Sequence, residues 1–377
     1  MTPEAAMRLA LSQARGALGR SFPNPAVGAV VFRGDRVLGR GRTRSAGGAH
    51  AEVVALEAAL RRFGARAVRG ASMAVTLEPC SHTGKTGPCA DRLVAAGLRR
   101  VFVGHIDPHP RVAGRGVRRL QGAGLEVCVG VLEAACREQH RGFLCSVQRG
   151  RPFVVLKLAA SLDGRIATAQ GESQWIAGPE GRTAVHRLRA RMDAIVVGSR
   201  TALADDPELT ARRNGRVVHR PIRVVVDGGL RVGPGARLHR GGAGASWVLC
   251  SATAPAARRR ALGAAGVILV DVPRRGRHLD LKRGLARLAD RGLTQVLVEG
   301  GAGLAAALLR EGLVDEVHWF VAPRLIGCEG IPAVGELGLG PLADAIALDR
   351  VSVRREGSDL HIQGSVRQRS PRARRGR

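Results

Sequence analysis

Apolar positions along the chain repeat with two periods, and the switches between them mark out its elements. Met7, Leu11, Ala14 and Leu18 recur at helical spacing behind Thr2-Pro3-Glu4, which reads as a cap and an acidic first turn. Apolar runs at 26–32, 71–77, 100–104 and 125–130 predict strands, and the patterns at 49–61, 89–96, 115–123 and 132–148 predict helices. Arg149-Gly150-Arg151-Pro152 interrupts both periods and reads as a linker. A second alternation follows, with strands predicted at 153–159, 194–197, 222–226, 246–250, 267–270, 295–299 and 316–321. Helices are expected between them at 179–191, 254–264, 280–291 and 303–310. Strands alternating with helices imply α/β layers with largely parallel sheets. The expected domains are therefore 1–148 and 152–366, with 367–377, which holds six Arg, as a disordered basic tail.

Composition narrows the class. The 377 residues are 45% hydrophobic and 24% charged, a globular balance. No apolar run reaches the roughly 18 residues that span a bilayer, which excludes an integral membrane protein. The helical N-terminus does not read as a signal peptide, so a cytoplasmic enzyme is expected. The net charge of +29 invites a nucleic-acid reading. Only Lys85, Lys157 and Lys282 among the 60 basic residues are lysines, however, and Tyr is absent. That skew is a coding bias towards Arg, and it predicts attraction to small anions such as phosphates without a specific nucleic-acid partner. Seven scattered Cys form no secreted disulfide framework, which makes a close pair a metal candidate.

Such a pair exists. His50-Ala51-Glu52 opens a predicted helix, and Cys80 and Cys89 follow. One imidazole and two thiolates are the donors of a three-ligand catalytic zinc site with its fourth position open to water. Water there ionises near pH 7, down from about 15.7, and Glu52 is the expected proton shuttle. The helix start at Cys89 favours its thiolate. Cys128, Cys136, Cys145, Cys250 and Cys328 lack partner spacing and read as core or incidental. Asn24, between Pro23 and Pro25, either bonds a pyrimidine edge or shapes a tight turn. Lys85 is either a compact ammonium kept for a phosphate or a chance survivor, and His82 beside it is a similar candidate. In the second half, Glu299-Gly300-Gly301-Ala302-Gly303 is a strand-to-helix turn that either cradles a phosphate or simply turns. No complete G-x-G-x-x-G stands in a dinucleotide-fold context.

H-A-E followed by P-C…C is the signature of the zinc-dependent cytidine and nucleotide deaminases. Cys80-SHTGKTGP-Cys89 departs from their C-x-x-C, and behind T-L-E-P-C-S-H it resembles the deaminase domain of the bifunctional riboflavin-biosynthesis enzymes. The segments 157–165, 171–176 and 197–207, with Leu209-Thr210 and Glu299-Gly300-Gly301, resemble the reductase domain of the same family. The likeness runs from about residue 3 to about 365. It implies a cytidine-deaminase-like three-layer domain, then a dihydrofolate-reductase-like domain that uses NADPH. On the matching positions, it puts the cofactor near Ala159, Trp175, Thr201, Asp205, Gly301, Ala302, Gly303, Leu304, Ala305, Ala306 and Ala307. It puts the substrate, a pyrimidine ribosyl phosphate, near Asn24, His82, Lys85, Lys157, Ser173, Arg189, Leu209, Arg212 and Glu299. Arg189 and Arg212 would serve as phosphate forks. Lys157, Asp163 and Asp205 are the candidate acids of the reduction. Homo-oligomers are also implied. Two departures stand out: His109 occupies a position where that family carries Asn, and Phe22 one where it carries His. The alternative is a zinc deaminase acting on tRNA or single-stranded nucleic acid, whose binding would survive moderate salt and loss of the tail.

Overall fold

The computed structural model describes residues 1–81 and 87–367, so the expectations for His82, Lys85 and the tail residues 368–377 lie outside the described residues. The chain forms two compact units, Met1–Gly150 with Arg291–Thr294, and Arg151–Asp290 with Gln295–Arg377. Among the described residues, no helix is long and apolar enough to cross a membrane.

The first unit opens with α1 (Pro3–Arg15), where the Thr2 side chain accepts a hydrogen bond from the Ala5 amide and Pro3 stands in the first turn. It continues through β1 (Gly28–Arg33), β2 (Arg36–Arg42), α2 (Ala51–Val68), β3 (Ser72–Val75), α3 (Cys89–Ala95) and β4 (Arg100–Val103). It closes with α4 (Arg115–Gly122), β5 (Glu126–Val129), α5 (Glu133–Gln139) and α6 (Arg141–Arg149). The sheet order is β2-β1-β3-β4-β5. The pairs β3–β4 and β4–β5 are parallel, but β1 runs antiparallel to both of its neighbours. The sheet is therefore mixed, where a largely parallel one was expected. The unpredicted strand β2, with sequence RVLGRGR, has too few apolar side chains to show a strand period. Successive residues of β1 face opposite ways, Ala29 and Val31 towards α2 to α4, Val30 and Phe32 towards α1 and α5. Two cores on one sheet make the three layers.

Helix α2 is broken at Gly64, which lies at φ 75°. The single helix expected over 132–148 starts after Leu132, which is left-handed at φ 53°, and is divided in two at His140. Strand β2 packs very closely on α2: a Cβ at Gly41 would collide with the Ala51 carbonyl oxygen. This bare backbone lets the start of α2, with His50 and Glu52, lie directly on the sheet.

The second unit runs β6 (Phe153–Ser161), β7 (Arg165–Ala167), α7 (Pro179–Arg189), β8 (Ala194–Gly198), α8 (Ser199–Asp205), β9 (Ala211–Arg213), β10 (Arg216–His219) and β11 (Ile222–Val226). Then come β12 (Ser246–Cys250), α9 (Ala256–Ala264), β13 (Ile268–Asp271), β14 (Arg274–Arg275), β15 (His278–Leu279), α10 (Leu281–Ala289), β16 (Gln295–Val298) and α11 (Ala302–Arg310). It ends with β17 (Glu316–Ala322), β18 (Ile331–Pro332), β19 (Leu348–Glu356) and β20 (Asp359–Val366). Nine strands form one sheet in the order β13-β12-β11-β8-β16-β6-β17-β20-β19. All seven strands read from the sequence are in it, mutually parallel, and the hairpin β19–β20 adds an antiparallel edge. That hairpin escaped the sequence reading because most of β19 is exposed on both faces, so its apolar residues never alternate cleanly.

Candidate functional site

In the first unit, His50 caps the N-terminus of α2, Cys89 is the first residue of α3, and Cys80 lies on the stretch after β3. These ends bring His50 Nδ1 to 3.3 Å from Cys89 Sγ and 3.6 Å from Cys80 Sγ. Their donor atoms lie within 4.8 Å of one another, and among the described residues no other His, Cys or acidic group converges this way. Cys80 Sγ also accepts the Cys89 amide hydrogen at 3.3 Å. Hydrogen bonds from Cys89 and His50 hold the Cys80 thiol down at about 4, whereas the Cys80 anion and burial push Cys89 well above the usual thiol range. The two thiols and the imidazole thus share one hydrogen-bonded cluster in which a negative charge is stabilised. His50 is raised, chiefly by its bond to Cys80. A half-buried imidazole and two soft sulfurs around one point fit zinc.

Glu52 follows His50 by two residues, is buried, and has its carboxyl pushed up to about 7 by burial and by the Cys80 anion. A carboxyl in that range can both take and give a proton near neutrality. Asn24 is half-buried in a bend, its amide bonded to the Ser21 carbonyl. Of the five Cys without partner spacing, Cys136, Cys145 and Cys250 are buried while Cys128 and Cys328 are exposed.

The second unit gathers a different set. The Arg189 guanidinium, at the end of α7, donates two bonds to Glu299, Nε to Oε1 at 2.6 Å and Nη2 to Oε2 at 2.8 Å. Its Nη1 donates to the Thr210 carbonyl at 3.1 Å. Lys157 Nζ, from β6, is 4.0 Å from Glu299 Oε2. Burial alone would raise Glu299, but Arg189 and Lys157 hold it at about 2. Burial lowers Lys157 despite Glu299 and Asp205, and burial raises Asp205 against the pull of Lys157. Thr201 Oγ1 accepts from the Gly301 amide at 3.0 Å, tying α8 to the N-terminus of α11 where the glycine-rich turn ends. Ala302 to Ala307 form the first turns of α11, with Ala305 and Ala306 buried beneath.

Several expected contacts are committed elsewhere. Arg189 forks a carboxylate where a phosphate was expected. Arg212 binds Glu208, Thr210 Oγ1 at 3.2 Å and the Gly215 carbonyl at 3.2 Å. The Leu209 side chain lies in the apolar core. Ala159 packs against Phe320 and α7. Trp175 is 62% exposed and lies under the Arg182 guanidinium, 4.8 Å from its ring centre, with Ser173 half-buried nearby in sequence. Asp163 accepts from the amides of Ile326 and Gly327 and from Ser161, which hold it at about 2. It is a loop anchor, which removes it from the candidate acids. His186 was missed: one turn before Arg189 on α7, it accepts the Arg212 amide at 3.3 Å. Its i, i+3 spacing from Arg189 was the available signal.

Known proteins match both units. The family described as "Cytidine and deoxycytidylate deaminase zinc-binding region" matches residues 1–105, and "RibD C-terminal domain" matches 152–362. Riboflavin biosynthesis protein RibD of Escherichia coli K12 is 39% identical over 97% of this chain and 100% of its own. The chain belongs to the RibD family. Solved RibD structures agree: Acinetobacter baumannii RibD form 1 superposes with a TM-score of 0.86 at 35% identity, covering 97% of this chain and 99% of its own. So does the Thermotoga maritima diaminohydroxyphosphoribosylaminopyrimidine deaminase/5-amino-6-(5-phosphoribosylamino)uracil reductase, with a TM-score of 0.83 at 33% identity over 97% and 98%. As a RibD protein the chain is a bifunctional enzyme of riboflavin biosynthesis, a zinc-dependent deaminase joined to an NADPH-dependent reductase. The match runs through both units, which a deaminase of nucleic acid alone does not explain.

Proposed function

We propose that His50, Cys80, Cys89 and Glu52 carry the hydrolytic deamination of 2,5-diamino-6-ribosylamino-4(3H)-pyrimidinone 5′-phosphate, and that the cluster around Lys157 and Glu299 carries reduction of the ribosyl chain to a ribityl chain. The observation that carries this reading is the convergence of His50, Cys80 and Cys89 with Glu52 buried beside them. Zinc held by the three ligands supplies Lewis acidity that makes water reactive near neutral pH. Glu52 takes the proton from the attacking water and returns it to the departing amine, so that ammonia leaves and a uracil ring remains. NADPH supplies the hydride for C1′ of the ribosyl group. Lys157 is the donor of the accompanying proton, since burial lowers its ammonium towards the working range and Asp163 is tied to a loop. Glu299, locked by Arg189, orients the sugar hydroxyls beside it. The Gly301 turn and the start of α11 receive the cofactor's phosphates, with Trp175 flanking its ring.

The domains we assign are 1–148 for deamination and 152–366 for reduction, followed by the 367–377 tail. We further assign a cytoplasmic homo-oligomer with no specific nucleic-acid or membrane partner. The test follows ammonia release and NADPH absorbance separately in the zinc-loaded enzyme and in Glu52→Gln. Both signals should stop in the variant, and oxidation should return when the deaminated intermediate is added. Ammonia without oxidation in the native enzyme would remove the reductase assignment, and neither signal would remove the substrate.

A further inference from the structure

Glu78 lies three residues beyond the end of β3 and two before Cys80, and no part of the chemistry above uses it. It is buried, yet among the described residues no Arg or Lys hydrogen-bonds its carboxylate. Instead its carboxylate collects four backbone amides: Oε2 accepts from Asp107 at 3.1 Å and Gly114 at 2.9 Å, and Oε1 accepts from Gly116 at 2.8 Å and Val117 at 3.1 Å. Two of these amides lie in the first turn of α4, where helix amides are otherwise unpaired. The Glu78 amide in turn donates to the His105 carbonyl at 3.1 Å. Beside it, a Cβ on Gly116 would collide with the Pro79 carbonyl oxygen, so the two segments are in close backbone contact. Strands β3 and β4 are parallel neighbours, so the stretch carrying Cys80 and the 107–117 segment leave the same edge of the sheet. His109, half-buried, and Arg111 and Arg115, exposed, are presented there.

We propose that Glu78 is a positioning residue of the deamination: its carboxylate locks the 107–117 segment to the stretch after β3 that bears Cys80, and so fixes that segment, which we place against the substrate, relative to the metal-binding cluster. The inference rests on the deaminase reading above. Only an acceptor-only carboxylate can serve four amides, because a carboxamide at this position turns its own donor towards two of them. None of the four amides belongs to a metal ligand, so the lock is expected to act on substrate placement.

The experiment uses full-length, zinc-loaded enzyme and Glu78→Gln, with Glu78→Asp as a milder variant that keeps the charge but loses reach. In Glu78→Gln we expect KM for the diaminopyrimidinone phosphate to rise by about tenfold or more, with kcat changed less. Zinc content, the visible spectrum of the cobalt-substituted enzyme and reduction of the deaminated intermediate should stay as in the native protein. Amide exchange at Gly114, Gly116 and Val117 should accelerate. Should Glu78→Gln not fold, Glu78→Asp must show a smaller KM rise with the same faster exchange. Unchanged KM, or loss of zinc in step with kcat, overturns the proposal. If the native enzyme releases no ammonia from this compound, the substrate reading fails, while the exchange data still decide whether the lock exists.

Discussion

The two clusters treat buried charge in opposite ways. In the first unit, His50, Cys80 and Cys89 point their donors at one place and leave the negative charge concentrated there. In the second, Arg189 and Lys157 surround Glu299, and the charges satisfy one another. The first arrangement needs a cation to finish it. The second is complete as folded and offers a rigid polar wall to an organic ligand. Metal removal should therefore be selective, silencing one unit and sparing the other.

The sharpest way to break this contrast is Cys89→Ala. Zinc and ammonia release should both be lost, whereas NADPH oxidation with the deaminated intermediate should persist. Metal analysis beside the two assays checks it, and loss of both activities would show that the clusters are not separable.

Glu299→Gln comes next. It leaves the Arg189 guanidinium buried without its carboxylate, a change that typically costs about 3–5 kcal/mol. Thermal unfolding of the second unit should shift down and its reductase activity should collapse, with ammonia release unaffected.

A pH scan sharpens the same point. The Glu299 carboxyl lies at about 2, below its ordinary 4.5. A depressed carboxyl contributes stability that is present above 4.5 and is lost as pH falls through 2. Calorimetry between those values should show a loss of stability that Glu299→Gln lacks.

The smallest effect is expected from Thr201→Val, which removes one acceptor for the Gly301 amide and should weaken NADPH binding by about fivefold. Direct titration of NADPH measures this without turnover.

What could be read from the sequence followed how local each signal is. His50, Glu52, Cys80 and Cys89 sit at element ends that patterning marks, and their residue types leave few chemistries open. The strands of the second sheet were legible because parallel strands are buried on both faces and read as continuous apolar runs. Strand β2 was not, since its alternate positions carry Arg and Gly. The Arg189–Glu299 pair spans 110 residues and exists only once the sheet places β16 beside β8 and β6. Arg212 and Leu209 show the converse: their motif positions match, while in the fold one side chain pairs with Glu208 and the other lies in the core, surroundings that the motif does not reveal. In a chain so rich in Arg, residue type alone could not separate a phosphate fork from an internal ion pair. Glu78 was visible inside T-L-E-P-C, yet its four amide partners come from residues 107–117, beyond the reach of any local pattern.

Trp175 lies exposed beneath Arg182, and the other two Trp, Trp247 and Trp319, belong to the same unit. With no Tyr in the chain and no Trp in the first unit, near-ultraviolet emission comes almost wholly from one half of the enzyme. The molecule therefore carries a built-in optical label. If the cofactor docks beside Trp175 as proposed, its arrival should change that fluorescence, while zinc uptake and deamination in the other unit should proceed in the dark, so that one cuvette would report one activity at a time.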